Sequence, residues 1–214
     1  MHRFFVAPAA VRDATVTFSA DQARQMARVL RLQPGETVLA LDGLGTEHTV
    51  ALTAVTPAAA TGAITATAPA RGEPGVRVTL YQALLKGDRW DYVLQKGTEL
   101  GIAAFVPVLA RRCVAQAEGE EKRRRWERIV LEAAEQSGRG VLPPVAAPVT
   151  LSAALAGATG VRLFLHESAT TPLRATLTAR FTEVALFVGP EGGFDEQEVA
   201  AAAAAGTQVV GLGP

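Results

Sequence analysis

The sequence predicts an α/β protein in two parts, a small β-barrel followed by a larger α/β domain. Three observations carry that reading. Residues 1–72 hold several short strand-like runs separated by turns. Residues 70–75, Ala-Arg-Gly-Glu-Pro-Gly, break every periodic pattern and mark a linker. From residue 76 onward, apolar runs alternate with helical periodicities, the signature of a mainly parallel sheet covered by helices.

In the first part, Arg3–Val6, Thr15–Phe18, Thr37–Leu41, Thr46–Thr56 and Gly62–Thr67 are β-prone, and Asp42-Gly43 is a turn. One helix interrupts them. Ser19-Ala20-Asp21-Gln22 has the form of a capping box, and Pro34-Gly35 ends the helix. Ala23, Met26, Ala27 and Leu30 are spaced to face a core. Arg24, Arg28 and Arg31 fall on another side, where they are either a solvated face or a stripe that contacts phosphates.

In the second part, Val76–Leu85 is a strand and Asp88–Leu100 a helix facing inward with Trp90, Val93, Leu94 and Gly97. Ala103–Leu109 is a strand. Glu120–Ser137 is a helix burying Trp126, Ile129, Val130, Ala133 and Ala134. Arg162–Leu165, Val184–Val188 and Thr207–Val210 are strands, and Asp195 caps an alanine-rich helix that Gly206 stops. The run Lys122-Arg123-Arg124-Arg125 follows Glu118 and Glu121 at helical spacing, so surface ion pairing explains much of it.

Composition narrows the function classes. With 49% apolar and 20% charged residues among 214, the chain can bury a core and is not a disordered protein. No apolar stretch approaches a membrane span or a signal peptide, so the expectation is a cytoplasmic protein with no membrane partner. One cysteine, Cys113, excludes an internal disulfide, and His2, His48 and His166 have no metal-ligand spacing, so no metal is expected. The 21 basic and 21 acidic residues cancel, but residues 76–140 carry 12 basic against 9 acidic. A neutral total does not exclude a nucleic-acid face.

The most informative segment is Leu186-Phe187-Val188-Gly189-Pro190-Glu191-Gly192-Gly193-Phe194-Asp195. A buried strand ends, a Gly/Pro loop follows, and a helix starts at an Asp cap. Gly192-Gly193 is expected to let backbone approach a ligand closely. The loop lacks the P-loop and G-x-G-x-x-G patterns. The acidic residues at the helix start also disfavour a phosphate, so a neutral or cationic ligand suits it better. Its neighbouring strands end in Leu165-His166-Glu167 and in Gly211-Leu212-Gly213-Pro214. In open α/β sheets such strand ends hold the ligand.

Together these three strand ends look like the cofactor loops of the SPOUT (α/β-knot) methyltransferases. Arg3-Phe4-Phe5, Arg28-Val29-Leu30-Arg31-Leu32, Lys96-Gly97-Thr98-Glu99-Leu100-Gly101 and Glu135-Gln136-Ser137-Gly138-Arg139 narrow the resemblance to the RsmE family. It runs the length of the chain. It implies a PUA-like RNA-binding barrel over 1–72 and a SPOUT trefoil-knot domain over 76–214. It also implies S-adenosylmethionine as cofactor, 16S rRNA within the small ribosomal subunit as partner, and a homodimer. The implied reaction is methylation of a uridine at N3, at uridine 1498 of the small subunit.

Carried over by motif, the cofactor pocket comprises Leu165, His166, Glu167, Gly189, Pro190, Glu191, Gly192, Gly193, Leu212 and Gly213. His166 could also be only an exposed strand-end residue, and Glu191 only a carboxylate favoured by the helix dipole. Glu191 and Arg139 are the candidate catalytic residues, since the reaction needs a proton acceptor and cations for a uracil anion. Arg3, Arg28, Arg31, Lys86, Arg112 and Arg139 are the candidate RNA contacts. The family pattern continues beyond Leu-Gly-Pro into a C-terminal helix, whereas this sequence stops at Pro214. The second domain is therefore expected to be truncated, with a weakened cofactor site.

The competing readings are a non-catalytic RNA-binding protein that uses the barrel alone and a nucleotide-binding enzyme of ordinary doubly wound fold. The Gly-Pro-Glu-Gly-Gly loop beside Leu-His-Glu separates the methyltransferase from both, because a bare binder needs neither.

Overall fold

The computed structural model describes residues 1–113, 119–177 and 180–213. The chain divides into two compact units. The first comprises Met1–Glu73 and Ala134–Leu142, the second Pro74–Ala133 and Pro143–Pro214.

The first unit is a six-stranded sheet of β1 (Arg3–Phe5), β2 (Val11–Arg12), β3 (Thr15–Phe18), β4 (Thr37–Leu41), β5 (Thr46–Val55) and β6 (Ala60–Pro69), in the order β1-β4-β5-β6-β3-β2. Only β1 and β4 run parallel. Its ladders do not close into the expected barrel among the described residues. The two end strands span two and three residues, and each pairs with a single neighbour. Phe4, Val16, Phe18, Met26, Val38 and Val50 form the core, with the Phe4 and Phe18 rings edge to face at 5.8 Å.

Helix α1 (Ala20–Arg24) starts as expected: the Ser19 hydroxyl accepts from Gln22 N and the Gln22 side chain accepts from Ser19 N. The chain then widens into a π-helical stretch over Gln25–Leu30 and stops at Arg31, which has φ +54°. Ala23 and Met26 are fully buried, whereas Ala27 is half-buried. Residues 134–142 join this unit through Glu73. Its carboxylate accepts from Arg139 Nη2 at 2.6 Å and from the Gly140 and Val141 amides, both at 3.0 Å.

The second unit is an all-parallel six-stranded sheet. Its strands are β7 (Arg77–Ala83), β8 (Ala104–Leu109), β9 (Val149–Thr150), β10 (Val161–Leu165), β11 (Glu183–Val188) and β12 (Gln208–Val210), in the order β12-β10-β11-β7-β8-β9. The central strands are apolar on both faces, as burial between layers requires. Tyr81, Ala83, Phe164, Ala185 and Phe187 meet α4 (Leu151–Gly157) and α6 (Glu196–Ala204), while Leu163, Val184 and Val210 share the opposite cluster.

Helix α2 (Arg89–Glu99) buries Trp90, Leu94 and Gly97, and α3 (Glu120–Ser137) buries Trp126, Val130, Ala133 and Ala134. The Trp90 and Trp126 rings lie 5.4 Å apart. Gly97 is needed for close packing, because a Cβ there would stand 2.6 Å from the Phe105 ring. The short helix α5 (Leu173–Thr176), α4, β2 and β9 were not among the sequence expectations. The basic run on α3 is a paired surface: Arg124 meets Glu120, Arg123 meets Glu127, and Arg125 reaches Asp88 and Asp91. Glu118 and Pro214, singled out in the sequence, lie outside the described residues.

Candidate active site

Strands β10, β11 and β12 all point the same way, so their carboxyl ends arrive at one edge of the sheet. There they enclose a cavity of about 720 Å³, within the usual range for a small-molecule site. Leu165, His166 and Glu167 line it from β10, Gly189, Pro190, Gly193 and Phe194 from β11, and Gly211, Leu212 and Gly213 from β12. Eight of the ten expected cofactor residues are thus brought together. Glu191 and Gly192 are not in the lining.

Local bonds fix each loop. His166 N donates to Val210 O at 3.0 Å, which ties the β10 exit to β12. Its Nδ1 lies 2.8 Å from Ser168 Oγ and accepts from Ser168 N at 3.3 Å, so the histidine is oriented by its own turn. Gly211 N donates to Thr171 O, and Leu173 N donates to Gly211 O. On the β11 side Gly193 N donates to Pro190 O, closing a tight turn, and Gly193 has φ +67°. A Cβ on Gly189 would stand 3.1 Å from Phe194 Cδ2 and 3.2 Å from Phe194 N. That glycine is what lets Phe194 fold back under the loop. Phe194 is buried against Phe164, with ring centroids 4.2 Å apart, and gives the cavity an aromatic wall.

Sequence reasoning missed Gln82. It is 4% exposed near the end of β7, and its Nε2 donates to Val188 O at 3.3 Å and Gly189 O at 3.0 Å. The available signal was a glutamine inside the otherwise apolar run Leu80–Leu85.

The outer side of the Pro190–Gly193 turn is basic. Glu191 Oε1 accepts from Lys86 N at 3.2 Å and from Arg89 Nη1 at 2.9 Å, and Gly192 O accepts from Arg112 Nη1 at 2.7 Å. Backbone N–H bonds, its own and that of Lys86, together with the Arg89 guanidinium hold the Glu191 carboxyl below its ordinary range. Glu191 is thus engaged on the outer side of the turn, outside the cavity lining. Gly192 departs from expectation: its φ is not positive, and a Cβ would meet Arg112 only at an ordinary 3.6 Å. Arg111 joins this face through Asp195, the cap of α6, at 3.2 Å.

The remaining candidates belong to the first unit. Arg28 and Arg31 are exposed and make no ion pair among the described residues, whereas Arg24 pairs with Asp21. Arg3 is exposed with its guanidinium over Gly138. Arg139 is a correction. It is 3% exposed and its guanidinium donates to Glu73, so it is a buried structural partner and offers little surface to RNA or a reacting base. Among the described residues no group of His, Cys, Asp and Glu is placed to hold a metal, and no helix is long and apolar enough to cross a membrane.

Comparison with known proteins agrees with this geometry. Residues 72–214 match the family model described as an RNA methyltransferase domain. A ribosomal RNA small subunit methyltransferase E from a Synechocystis species is 37% identical over 99% of this chain and 71% of its own length. The protein of the same name from Mycobacterium bovis is 35% identical over 94% of this chain and 80% of its own. The crystal structure of ribosomal RNA small subunit methyltransferase E from Neisseria gonorrhoeae, bound to S-adenosyl methionine, superimposes with a TM-score of 0.91 at 33% identity. That match covers 100% of this chain and 89% of the other.

Proposed function

The chain belongs to the ribosomal RNA small subunit methyltransferase E family, and on that premise we propose that it methylates N3 of a uridine in 16S ribosomal RNA. As a member it is an S-adenosylmethionine-dependent rRNA methyltransferase. The observation that carries the reading is the cavity at the ends of β10, β11 and β12, lined by eight of the ten residues expected for that cofactor.

The residues suit the cofactor. Leu165, Val188, Pro190, Phe194 and Leu212 offer an apolar slot for an adenine ring, and glycine backbone leaves polar edges accessible. Glu167 is the one acidic side chain of the lining and complements a cation. When bound, S-adenosylmethionine supplies a methyl group on a positively charged sulfur. The acidic start of α6 (Asp195, Glu196, Glu198) opposes a phosphate ligand, which disfavours an ordinary nucleotide-binding enzyme.

For the uracil, the chain must hold the base in line and stabilise the anion left when the imide proton departs. Lys86 and Arg112 are read as the cations for that work; both lie beside the turn, Lys86 through its backbone N–H to Glu191 and Arg112 through its guanidinium to Gly192 O. Glu191 positions this rim and takes no proton, so the imide proton leaves to water. Arg3, Arg28 and Arg31 are carried as phosphate contacts of the first unit, which stands for the PUA-like module of the resemblance. The knotted path and the homodimer are part of the same reading. A bare RNA binder would need no such cavity.

The test is to incubate the protein with methyl-labelled S-adenosylmethionine and small ribosomal subunits that lack the modification, then digest the RNA and identify the nucleoside by mass spectrometry. 3-Methyluridine is expected. Label on another base or position overturns the N3 assignment, and no transfer at all overturns the enzyme reading.

A further inference from the structure

We infer that Gln82 is a positioning residue for the methyl donor, holding the Gly189 peptide so that its N–H faces the cofactor cavity. The inference rests on the reading of that cavity given above. Gln82 is opposite Val188 in the β7–β11 register, and its Nε2 is within hydrogen-bond distance of Ala83 O at 3.1 Å on its own strand and of two successive carbonyls across from it, Val188 O at 3.3 Å and Gly189 O at 3.0 Å. In a regular strand successive carbonyls point to opposite sides, so two of them on one nitrogen mark a twist of the backbone at the strand's end. The peptide unit is planar and trans, which places the Gly189 N–H opposite the Val188 carbonyl and hence away from Gln82.

Gly189 lines the cavity, and no acceptor among the described residues takes its N–H. The next residue, Pro190, has no N–H to offer. The Gly189 amide is therefore the one donor that these two peptides can present, and it fits an acceptor atom on the ligand such as a ring nitrogen of adenine. Gln82 is 4% exposed, so a side chain without a donor at this position would take the side-chain hydrogen bond from the Gly189 carbonyl and loosen the hold on that peptide. The role is positioning: Gln82 acts through Gly189 and does not line the cavity.

The test is calorimetric titration of the full chain with S-adenosylmethionine. Gln82→Met keeps the shape and removes the donors, and should bind about tenfold more weakly while its affinity for 16S RNA is unchanged. Gln82→Glu adds a pH signature that packing alone would not give. Its carboxylate faces two carbonyls at neutral pH and loses binding; on acidification the protonated acid donates and binding recovers, whereas Gln82→Met stays flat. If Gln82→Met does not fold, the wild-type Gly189 amide can be followed by NMR, where its proton should move downfield on adding S-adenosylmethionine. Wild-type affinity in Gln82→Met, no recovery in Gln82→Glu, or an unmoved Gly189 resonance overturns the inference. Absence of binding by the wild type overturns the cofactor reading itself, and the inference with it.

Discussion

Glu191 and Arg89 lie 2.9 Å apart, so the turn after β11 is pinned to the first residue of α2. The same Glu191 oxygen accepts from Lys86 N, and the arginine that holds the other side of the turn, Arg112, reaches Gly192 O. The turn is thus clamped from outside by groups that face the solvent, while its inner side lines the cavity. A carboxylate in this setting holds a loop in place, and we read Glu191 as that anchor rather than as the proton acceptor.

The first prediction separates those roles. Glu191→Gln should change S-adenosylmethionine affinity and turnover by less than about fivefold, because the ion pair it breaks is exposed to solvent. Activity of the wild type should rise with pH through neutrality, as more uracil is deprotonated, with no inflection in the carboxylate range. A loss of turnover of more than about a hundredfold at unchanged cofactor affinity would restore Glu191 as the base.

A second prediction concerns the glycines. Gly189→Val should abolish cofactor binding, because even its Cβ would crowd Phe194 and the turn, whereas Gly192→Ala should bind normally. Calorimetry on both variants decides it. Equal behaviour of the two would mean that the loop's backbone approach is not what shapes the cavity.

How much was legible beforehand follows from the kind of interaction involved. Strands such as Thr37–Leu41 and the helix Glu120–Ser137 were bounded as observed, since apolar periodicity reports burial directly. The cavity was legible because two Gly-rich strand ends and the Leu165-His166-Glu167 end stand out in the chain. What failed was long-range chemistry. Glu73 lies in the linker and Arg139 is 66 residues away; nothing local says that they pair. Which glycine of Gly-Pro-Glu-Gly-Gly is sterically required depends on where Phe194 folds back. The π-helical widening at Gln25–Leu30 also displaced the arginine pattern, which had been counted at α-helical spacing.

The third prediction addresses those arginines. Arg28 and Arg31 are exposed and unpaired among the described residues, so they are available to phosphates. Replacing both with glutamine should weaken 16S RNA binding and reduce the slope of log affinity against log salt, by up to about 0.9 for each lost duplex contact and about 0.7 on single strands. Wild-type affinity and slope in the double variant would leave the two side chains as solvated surface.

The fourth prediction follows the Glu73–Arg139 pair. The Arg139 side chain is 4% exposed and the Glu73 side chain 25%, so removing the Glu73 carboxylate takes a charged partner from a guanidinium in a mostly dry place. Burial by itself would raise the Glu73 carboxyl. The Arg139 hydrogen bond and the Val141 and Gly140 N–H groups outweigh it, and the net shift is downward. Because the folded value lies below the unfolded one of about 4.3, the stabilisation is fully present above that pH and fades as pH falls through the folded value. Glu73→Gln should therefore cost about 3 kcal/mol at pH 7, near the lower end for a broken buried pair because Glu73 is partly wet. The advantage of the wild type over the variant should shrink as pH falls below about 4.3, the unfolded value. Chemical denaturation of both proteins at several pH values provides the check. A stability difference that stays constant from pH 7 to pH 3 would mean that the carboxylate charge is not what holds residues 134–142 to the first unit, and that the neutral hydrogen bonds suffice.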